Sequence, residues 1–271
     1  MEILFFSSLW GLEIFSIKEN LIRIKNAGFD GVEYGTILEE KEAAEFVAIA
    51  NDLGLKIIGQ QHKADGKTFE EYKKNFIAHL HLLSNQKPLF INSQTGKDYY
   101  SFEQNSELIE IAENIQSEIG IPIVHETHRG KFPFCIKETI PFIKKYPNIK
   151  FTADFSHFCV VSESFLEEQQ ETLQEIMLHS DHIHARVGHT QSPQVPDPRV
   201  EHWQYALDKH ISWWDEIIDH HKQKQSKVFT ITPEFGAEPY MTLLPETGEP
   251  IANQWDINIF MMQLLKKRYQ N

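Results

Sequence analysis

Two kinds of apolar spacing alternate along the chain and predict a repeated order of strand and helix. Short runs of apolar, largely β-branched residues, such as Glu2–Ser7 and Val228–Thr232, are typical of strands that are buried on both faces. Longer segments between them place apolar residues three or four positions apart, as in Ile17–Ala27, which indicates helices with one buried face. Gly28 is well placed to end that helix.

The pattern predicts eight strands and eight helices in strict alternation. The predicted strands are Glu2–Ser7, Phe29–Glu33, Leu55–Gly59, Pro88–Asn92, Ile121–Glu126, Ile149–Asp154, His182–Val187 and Val228–Thr232. The predicted helices are Ile17–Ala27, Leu38–Leu53, Thr68–Leu83, Ser101–Glu118, Phe134–Lys145, Ser164–His179, Leu207–Lys222 and Trp255–Arg268. Alternation of this kind implies a parallel sheet.

Eight such units occur in a chain of 271 residues with no linker and no break in composition, which favours a single α/β domain. We expect a closed (β/α)8 TIM barrel that forms a single domain over residues 1–271. The alternative is an open, doubly wound sheet, which would have a glycine-rich phosphate turn after its first strand. Ser8-Leu9-Trp10-Gly11 follows the first strand and lacks that motif, so the barrel is favoured.

Composition narrows the classes of function. A net charge of −13 argues against binding to a nucleic-acid backbone, although it leaves room for a local basic pocket. The first residues lack the basic region of a signal peptide, and no window is long enough to span a membrane, so we expect a cytoplasmic protein. Cys135 and Cys159 are too few for a disulfide framework, and small buried side chains are a better interpretation than catalytic thiols.

Ionisable residues stand at the ends of the last four predicted strands: Glu126, Asp154, His184 and Glu234. The carboxyl ends of barrel strands meet at one face, where α/β barrels build their active sites. Three carboxylates gathered there repel one another unless a cation is present. The sequence therefore predicts one divalent metal, with Mn²⁺, Mg²⁺ or Co²⁺ preferred by this oxygen-rich set and Zn²⁺ possible. Alternatively, each carboxylate caps a helix or is a solvated loop charge.

Several nearby side chains are candidates for substrate contacts. His157 follows Asp154 by three residues and would bind a substrate hydroxyl, or else would face solvent at a helix start. Arg186 suggests an anionic or polyhydroxylated ligand, or else an ion pair with a ligand carboxylate. His182 and His184 share one side of their strand, and His184 is nearer the mouth, so His182 is expected one layer deeper.

The remaining candidates carry weaker signals. His128 and Arg129 lie in the loop after strand five, and His62 follows strand three at the opposite wall. Glu33 at the end of strand two is expected to be structural, and His125 is expected to point away from Glu126 toward the helices. The pairs His79/His81 and His220/His221 are expected on solvated helix faces.

The stretches HETHRG, ADFSH, HIHAR and TPEFG together resemble the xylose isomerase-like barrels of the sugar phosphate isomerase/epimerase group. The resemblance extends from the first strand to the eighth. It implies a divalent metal held by the residues that match the ligands of that group, namely Glu126, Asp154, His184 and Glu234. It also matches Asp154 and His157 to the Asp-x-x-His motif of the group, and His62 to its strand-three histidine.

In the ketose epimerase branch of that group, two metal-bound glutamates exchange the substrate proton, a role that would fall on Glu126 and Glu234. The resemblance thus implies a metal-dependent isomerase or epimerase, with Mn²⁺ the preferred ion. Its substrate would be a sugar, sugar phosphate or polyol that reacts through an enediolate. Barrels of this group are often dimers or tetramers, so a homodimer or homotetramer is possible, with no membrane partner.

Three alternatives stay open on the sequence. A hydrolase or dehydratase could use the same metal site, and a non-catalytic barrel could bind sugar alone. The apurinic endonuclease branch needs further histidines and a basic face, whereas strand four ends in Ile91-Asn92-Ser93 and the chain is acidic. Residues 188–199 depart from the epimerases and are predicted to form a lid specific to a subgroup.

Overall fold

Eight parallel strands close into a barrel in the computed structural model, which describes residues 1–35 and 40–270. The strands pair in chain order, and the last pairs with the first, so the prediction of a (β/α)8 barrel is confirmed. They are β1 (Glu2–Ser8), β2 (Gly31–Tyr34), β3 (Lys56–Gln61), β4 (Ile91–Ser93), β5 (Ile123–Glu126), β6 (Phe151–Ala153), β7 (Ser180–His184) and β8 (Val228–Thr232).

Helices surround the barrel. They are α1 (Ile17–Ala27), α2 (Glu40–Asp52), α3 (Phe69–Ser84), α4 (Phe102–Ile119), α5 (Ile136–Lys145), α6 (Ser156–Ser162), α7 (Gln170–Leu178), α8 (Gln204–Gln223) and α9 (Gln254–Tyr269). The first two residues of the helix predicted over Leu38–Leu53 lie outside the described residues. Thr68, predicted as the first residue of this helix, caps α3, because its hydroxyl accepts a hydrogen bond from the backbone N–H of Glu71.

Several predicted elements differ in their bounds, and two of them differ in a way that affects the site. The helix predicted over Ser164–His179 is shorter: a 3₁₀ turn over Glu167–Gln169 precedes α7, because Leu166 adopts left-handed backbone angles. The preceding α6 was not predicted, and Glu163, also left-handed, ends it. The seventh strand was predicted over His182–Val187 but runs over Ser180–His184. Its pairing with β8 ends at His184 opposite Thr232, and the chain then leaves the sheet.

The barrel interior is apolar at one end and polar at the other. Leu4, Phe6 and Ile58 form a small buried cluster inside the barrel, with Phe90 packed against it. The larger apolar cluster lies between the strands and the helices. Toward the carboxyl ends of the strands the inward-facing residues become polar or ionisable and remain buried. The fold thus concentrates the costly buried polar groups at the face where α/β barrels carry active sites.

Within the described residues, every helix is too short or too polar to cross a lipid bilayer.

Candidate functional site

The four strand-end residues predicted as metal ligands come together in one buried cluster. Potential ligand atoms of Glu126, Asp154, His184 and Glu234 all lie within 4.8 Å of one another. Glu126 and His184 are the last residues of β5 and β7, Asp154 follows β6 directly, and Glu234 stands two residues beyond β8. Barrel closure therefore converts four separate strand ends into one set of oxygen and nitrogen donors.

The electrostatics of this cluster favour a bound cation. Burial, together with the neighbouring charges of Glu234 and Asp154, raises the pKa of Glu126 to about 8. Burial and Glu234 also raise the pKa of Asp154, although Arg186 opposes the shift. Like charges in a site that excludes water can all ionise only when positive charge is supplied. The donor set therefore fits a divalent ion, while the identity of the ion stays a prediction.

His184 is oriented as a metal-binding imidazole would be. Its Nε2 lies 3.0 Å from Glu33 Oε1, and because a carboxylate can only accept, the proton belongs on Nε2. Burial lowers the pKa of His184, but Glu234 and Glu33 outweigh it and raise the pKa well above its usual range, so Nδ1 also carries a proton until a cation replaces that proton. Nδ1 lies 2.8 Å from Glu234 Oε2, without the alignment of a hydrogen bond. A buried nitrogen with no hydrogen-bond partner, aimed among carboxylates, fits a ligand to a cation.

Glu33 takes part in this arrangement, although the sequence suggested only a structural role. Its side chain is buried, and its second carboxylate oxygen accepts a 2.6 Å hydrogen bond from Thr232 Oγ1. Burial raises the pKa of Glu33, but His184 and His182 outweigh that effect and bring the pKa well below its usual range. His182 lies deeper as expected, with Nδ1 2.7 Å from Thr230 Oγ1.

Three side-chain amides that the sequence analysis did not single out hold the carboxylates. Asn92 donates to Glu126 Oε2 at 3.1 Å, and Gln94 donates to Glu126 Oε1 at 3.1 Å. Gln60 donates to Glu234 Oε1 at 3.0 Å. All three lie at the ends of β3 and β4, so the strand-end rule that found the ligands could have found them too.

Arg186 forms the ion pair that was the alternative to a substrate contact. Its guanidinium is buried and pairs with Asp154, and its Nη2 lies 3.4 Å from Glu234 Oε2. The same nitrogen lies 3.0 Å from His157 Nε2. Arg186 also lines a cavity at the mouth of the barrel. One guanidinium therefore contacts two candidate ligands and borders the space for a substrate.

His157 is buried, so the alternative that it faces solvent is wrong. Burial, then His128 and Arg186, bring the pKa of His157 well below its usual range, which leaves a neutral imidazole. Its ring lies 3.9 Å from that of His128, centroid to centroid. His125 packs against Phe132 on the far side of its strand, as predicted.

A cavity of about 490 Å³ opens above the cluster at the carboxyl ends of the strands. Trp10, Tyr34 and Tyr240 give it aromatic walls, and Gln60, His62, Gln94, His128, Arg186 and Glu234 are among its polar lining. The volume suits a small molecule. Of the two glutamates in the cluster, Glu234 lines this cavity, whereas Glu126 has no exposed surface.

The remaining predicted substrate contacts are divided between the cavity and its edge. His62 and His128 line the cavity. Arg129 lies at the edge, with its guanidinium 5.0 Å from the ring centroid of Tyr240. His221, expected on a solvated face, is instead buried, and its Nε2 lies 2.8 Å from the backbone oxygen of Ser180.

Solved structures provide the comparison for this architecture. A xylose isomerase domain protein from Salmonella typhimurium is 12% identical, with a TM-score of 0.64 over 98% of this chain and 97% of that chain. The fold is that of the xylose isomerase-like TIM barrels. The fold-level resemblance inferred from the sequence is thereby confirmed. No protein-family model and no curated protein matches the sequence.

Enzymes with different activities share the xylose isomerase-like barrel. A D-psicose 3-epimerase is 13% identical, with a TM-score of 0.63 over 99% of this chain and all of that one. A probable 3-DHS dehydratase from Bacillus anthracis is 17% identical, with a TM-score of 0.63 over 99% of this chain and all of that one. Endonuclease IV from Thermus thermophilus has the fold as well. At these identities the likeness shows the fold alone.

Proposed function

We propose that this protein is a metal-dependent isomerase or epimerase of a sugar or sugar derivative. The observation that carries the proposal is the buried cluster of Glu126, Asp154, His184 and Glu234 beneath a small cavity with aromatic walls and polar side chains. A divalent ion held by these four residues would supply positive charge that stabilises an enediolate. Mn²⁺ is the ion we expect, because three carboxylates and one imidazole form an oxygen-rich set.

Proton transfer is assigned to the two glutamates, and the geometry divides their roles. Glu234 borders the cavity and is the better placed to remove the proton next to the substrate carbonyl. Burial raises the pKa of Glu234, but His184 and Arg186 outweigh it and lower the pKa, which keeps this carboxylate ionised. Gln60 holds its Oε1 and so fixes the direction of the carboxylate. Glu126, which lies deeper in the cluster, would return a proton from the other side of the reacting carbon.

Neighbouring groups orient the substrate in this proposal. The neutral imidazoles of His62 and His128 can donate to or accept from hydroxyl groups. Arg186 presents a guanidinium to the cavity and supports developing negative charge on the substrate oxygen. Trp10 and Tyr240, whose rings meet edge to face at 5.1 Å, provide an apolar wall for the C–H face of a sugar.

The first experiment combines metal content with solvent deuterium uptake. Protein incubated with Mn²⁺ should hold one ion per chain, and Asp154→Asn and Glu234→Gln should lose it. A panel of ketoses and aldoses, free and phosphorylated, should then show deuterium incorporation at constant mass apart from the label. Glu171→Gln, at an exposed position on α7, is the matched control. Absence of any bound ion in the wild type would falsify the metal site.

Glu234→Gln removes a metal ligand as well as the proposed base, so turnover should fall by at least the roughly 10²- to 10⁴-fold that a positioned general base contributes. Glu126→Gln is compared under conditions in which it retains the ion: if Glu126 is the returning acid, this variant should block product formation more than it blocks deuterium exchange. Mass spectrometry of the products separates the alternatives, because a dehydratase releases water and an epimerase does not. Binding of sugars without any exchange would support the non-catalytic barrel instead.

Phosphodiester cleavage is the weaker candidate. A second group of potential ligands, Glu126, His128 and His157, lies beside the first. However, Arg186 Nη2 lies 3.0 Å from His157 Nε2, and this permanent positive charge opposes a second cation there. Two or three zinc ions per chain, together with cleavage of DNA at abasic sites, would reverse this ranking.

A further inference from the structure

The segment over residues 234–236 begins with a candidate metal ligand and lies outside the sheet. β8 ends at Thr232, whose backbone oxygen still accepts a hydrogen bond from Ala185 N–H at 2.8 Å. Among the described residues, no hydrogen bond between backbone groups involves residues 234–236. All three residues are buried, and buried backbone N–H and C=O groups are costly unless they are paired. Their partners must therefore come from side chains.

Two side-chain amides supply these partners, and each forms a pair of hydrogen bonds. The Gln194 amide accepts from Gly236 N–H at 2.7 Å and donates to Gly236 O at 3.1 Å. The Asn258 amide accepts from Phe235 N–H at 2.9 Å and donates to Phe235 O at 2.9 Å. We call Gln194 and Asn258 the amide clamp. Because an amide is both donor and acceptor, each one satisfies both backbone groups of a single residue.

The amide clamp holds the backbone directly after Glu234. The backbone oxygen of Glu234 itself accepts from Arg186 Nη1 at 3.4 Å. On Gly236, the ring of Trp10 lies so close that a Cβ atom at this position would overlap it. Side chains thus contact three consecutive residues, and the direction in which Glu234 leaves the backbone is fixed by these contacts.

The two members of the amide clamp come from different parts of the chain. Asn258 lies on α9, whereas Gln194 lies in the loop over residues 188–199. Gln194 is itself held in place, because Ser192 Oγ donates to its backbone oxygen at 3.1 Å and the next residue, Val195, donates to Val187 O at 2.8 Å. Only 2% of its surface is exposed. The loop predicted as a lid therefore contacts the segment that carries Glu234.

We infer that Gln194 is a positioning residue for Glu234, and that the loop over residues 188–199 sets the direction of this carboxylate through it. The inference rests on the proposed function for the role of Glu234 in proton transfer, and on the metal cluster alone for its role as a ligand. Gln194 acts through the backbone of Gly236. Direction matters for a carboxylate that binds an ion and moves a proton, because a misplacement of about 1 Å can cost on the order of 10²-fold in rate.

The first test measures affinity for Mn²⁺ by titration of apo protein. Gln194→Met keeps the approximate size of the side chain and removes both hydrogen bonds to Gly236. This variant should bind Mn²⁺ about tenfold more weakly, at the lower end of the 10- to 100-fold that groups orienting a metal ligand usually contribute. Gln191→Met makes the same change at an exposed position of the same loop and should bind like the wild type. Equal affinity in Gln194→Met and the wild type would overturn the inference.

A second variant, Gln194→Glu, separates positioning from misfolding. A protonated carboxyl group can accept from Gly236 N–H and donate to Gly236 O as the amide does, whereas a carboxylate can only accept. Burial favours the protonated form. The ratio of the Mn²⁺ dissociation constants of this variant and the wild type should therefore fall toward one between about pH 8 and about pH 6. A ratio that stays throughout at the value for Gln194→Met would contradict a positioning role.

Turnover distinguishes failure of this inference from failure of the proposed function. With a reacting sugar and saturating Mn²⁺, Gln194→Met should turn over about 10- to 100-fold more slowly than the wild type. If no sugar exchanges deuterium but Gln194→Met binds Mn²⁺ more weakly, the proposed function fails and the positioning role stands. If the wild type is active and Gln194→Met matches it in both assays, the positioning role fails alone. A wild type that binds no Mn²⁺ overturns both.

Discussion

At the scale of single residues, the sequence located the candidate ligands but not the groups that hold them. Glu126, Asp154, His184 and Glu234 were recognisable because ionisable residues recur at the ends of four neighbouring strands. Glu33 also ends a strand but was assigned a structural role, since a lone glutamate carries little signal by itself. Asn92 was passed over because the search was for ionisable residues and not for neutral amides. Glu33 reaches His184 only because barrel closure brings β2 and β7 face to face across the interior, 151 positions apart in sequence.

Glu33 should therefore act through His184. Glu33→Gln removes the carboxylate that fixes the imidazole and should weaken Mn²⁺ binding about 10- to 100-fold, as other such substitutions do. Thr232→Val keeps the shape, removes the contacts of the hydroxyl with the second oxygen of Glu33 and with His182 Nε2, and leaves the bond between Glu33 and His184 in place, so its effect should be smaller. Titration of apo protein with Mn²⁺ measures the dissociation constant of each variant. Wild-type affinity in Glu33→Gln would show that His184 needs no such support.

At the scale of elements, periodicity identified the strands and most helices, and it failed where backbone geometry or burial overrode it. The break between α6 and α7 depends on left-handed residues, which no apolar pattern encodes. On α8 the buried face includes His210 and His221 beside two tryptophans, and treating histidine as polar placed His221 in solvent. The loop over residues 188–199 was predicted as a lid. It is tied at one end to α8, because the backbone N–H of Gly188 donates to His210 Nε2 at 3.2 Å.

The hydrogen bond between Gly188 and His210 predicts that acid lowers the free energy of unfolding. Burial lowers the pKa of His210 to about 4, although its hydrogen bond to Ala206 O opposes the shift. In the unfolded chain the pKa of a histidine is ~6.5. A histidine whose pKa is lower than this in the folded state makes its full contribution to the free energy of unfolding above that pH. The contribution is lost as the pH falls, by about 2 kcal/mol at pH 5 and about 3 kcal/mol at pH 4.

Urea unfolding between pH 7 and pH 4.5 should show this loss in the wild type. His210→Gln should be less stable at pH 7 and should lack this part of the pH dependence, so the two curves should converge as the pH falls. His202→Gln, at an exposed position just before α8, should keep the wild-type slope. Parallel curves for His210→Gln and the wild type would mean that His210 does not titrate in this range.

At the scale of the whole molecule, the cluster concentrates negative charge inside a closed barrel, and a cation should stabilise the entire fold. An ion at 100 times its dissociation constant adds about 2.7 kcal/mol to the free energy of unfolding. For a chain of this size the melting temperature should rise by about 5 °C or more. Differential scanning calorimetry with and without Mn²⁺ measures the shift, and a chelator should reverse it. Asp154→Asn should show little change, whereas an ion-independent melting temperature in the wild type would contradict the site.

The division of the mouth into two structural layers has a consequence for how such a protein can diversify. The candidate ligands stand at strand ends or within two residues of them, whereas Trp10, His62 and Tyr240, which line the cavity, stand on connecting loops. Replacing these three residues therefore alters no strand residue and no candidate ligand. A library randomised at those three codons should change which substrate is preferred without loss of expression, so substrate choice can diverge while the metal cluster is kept.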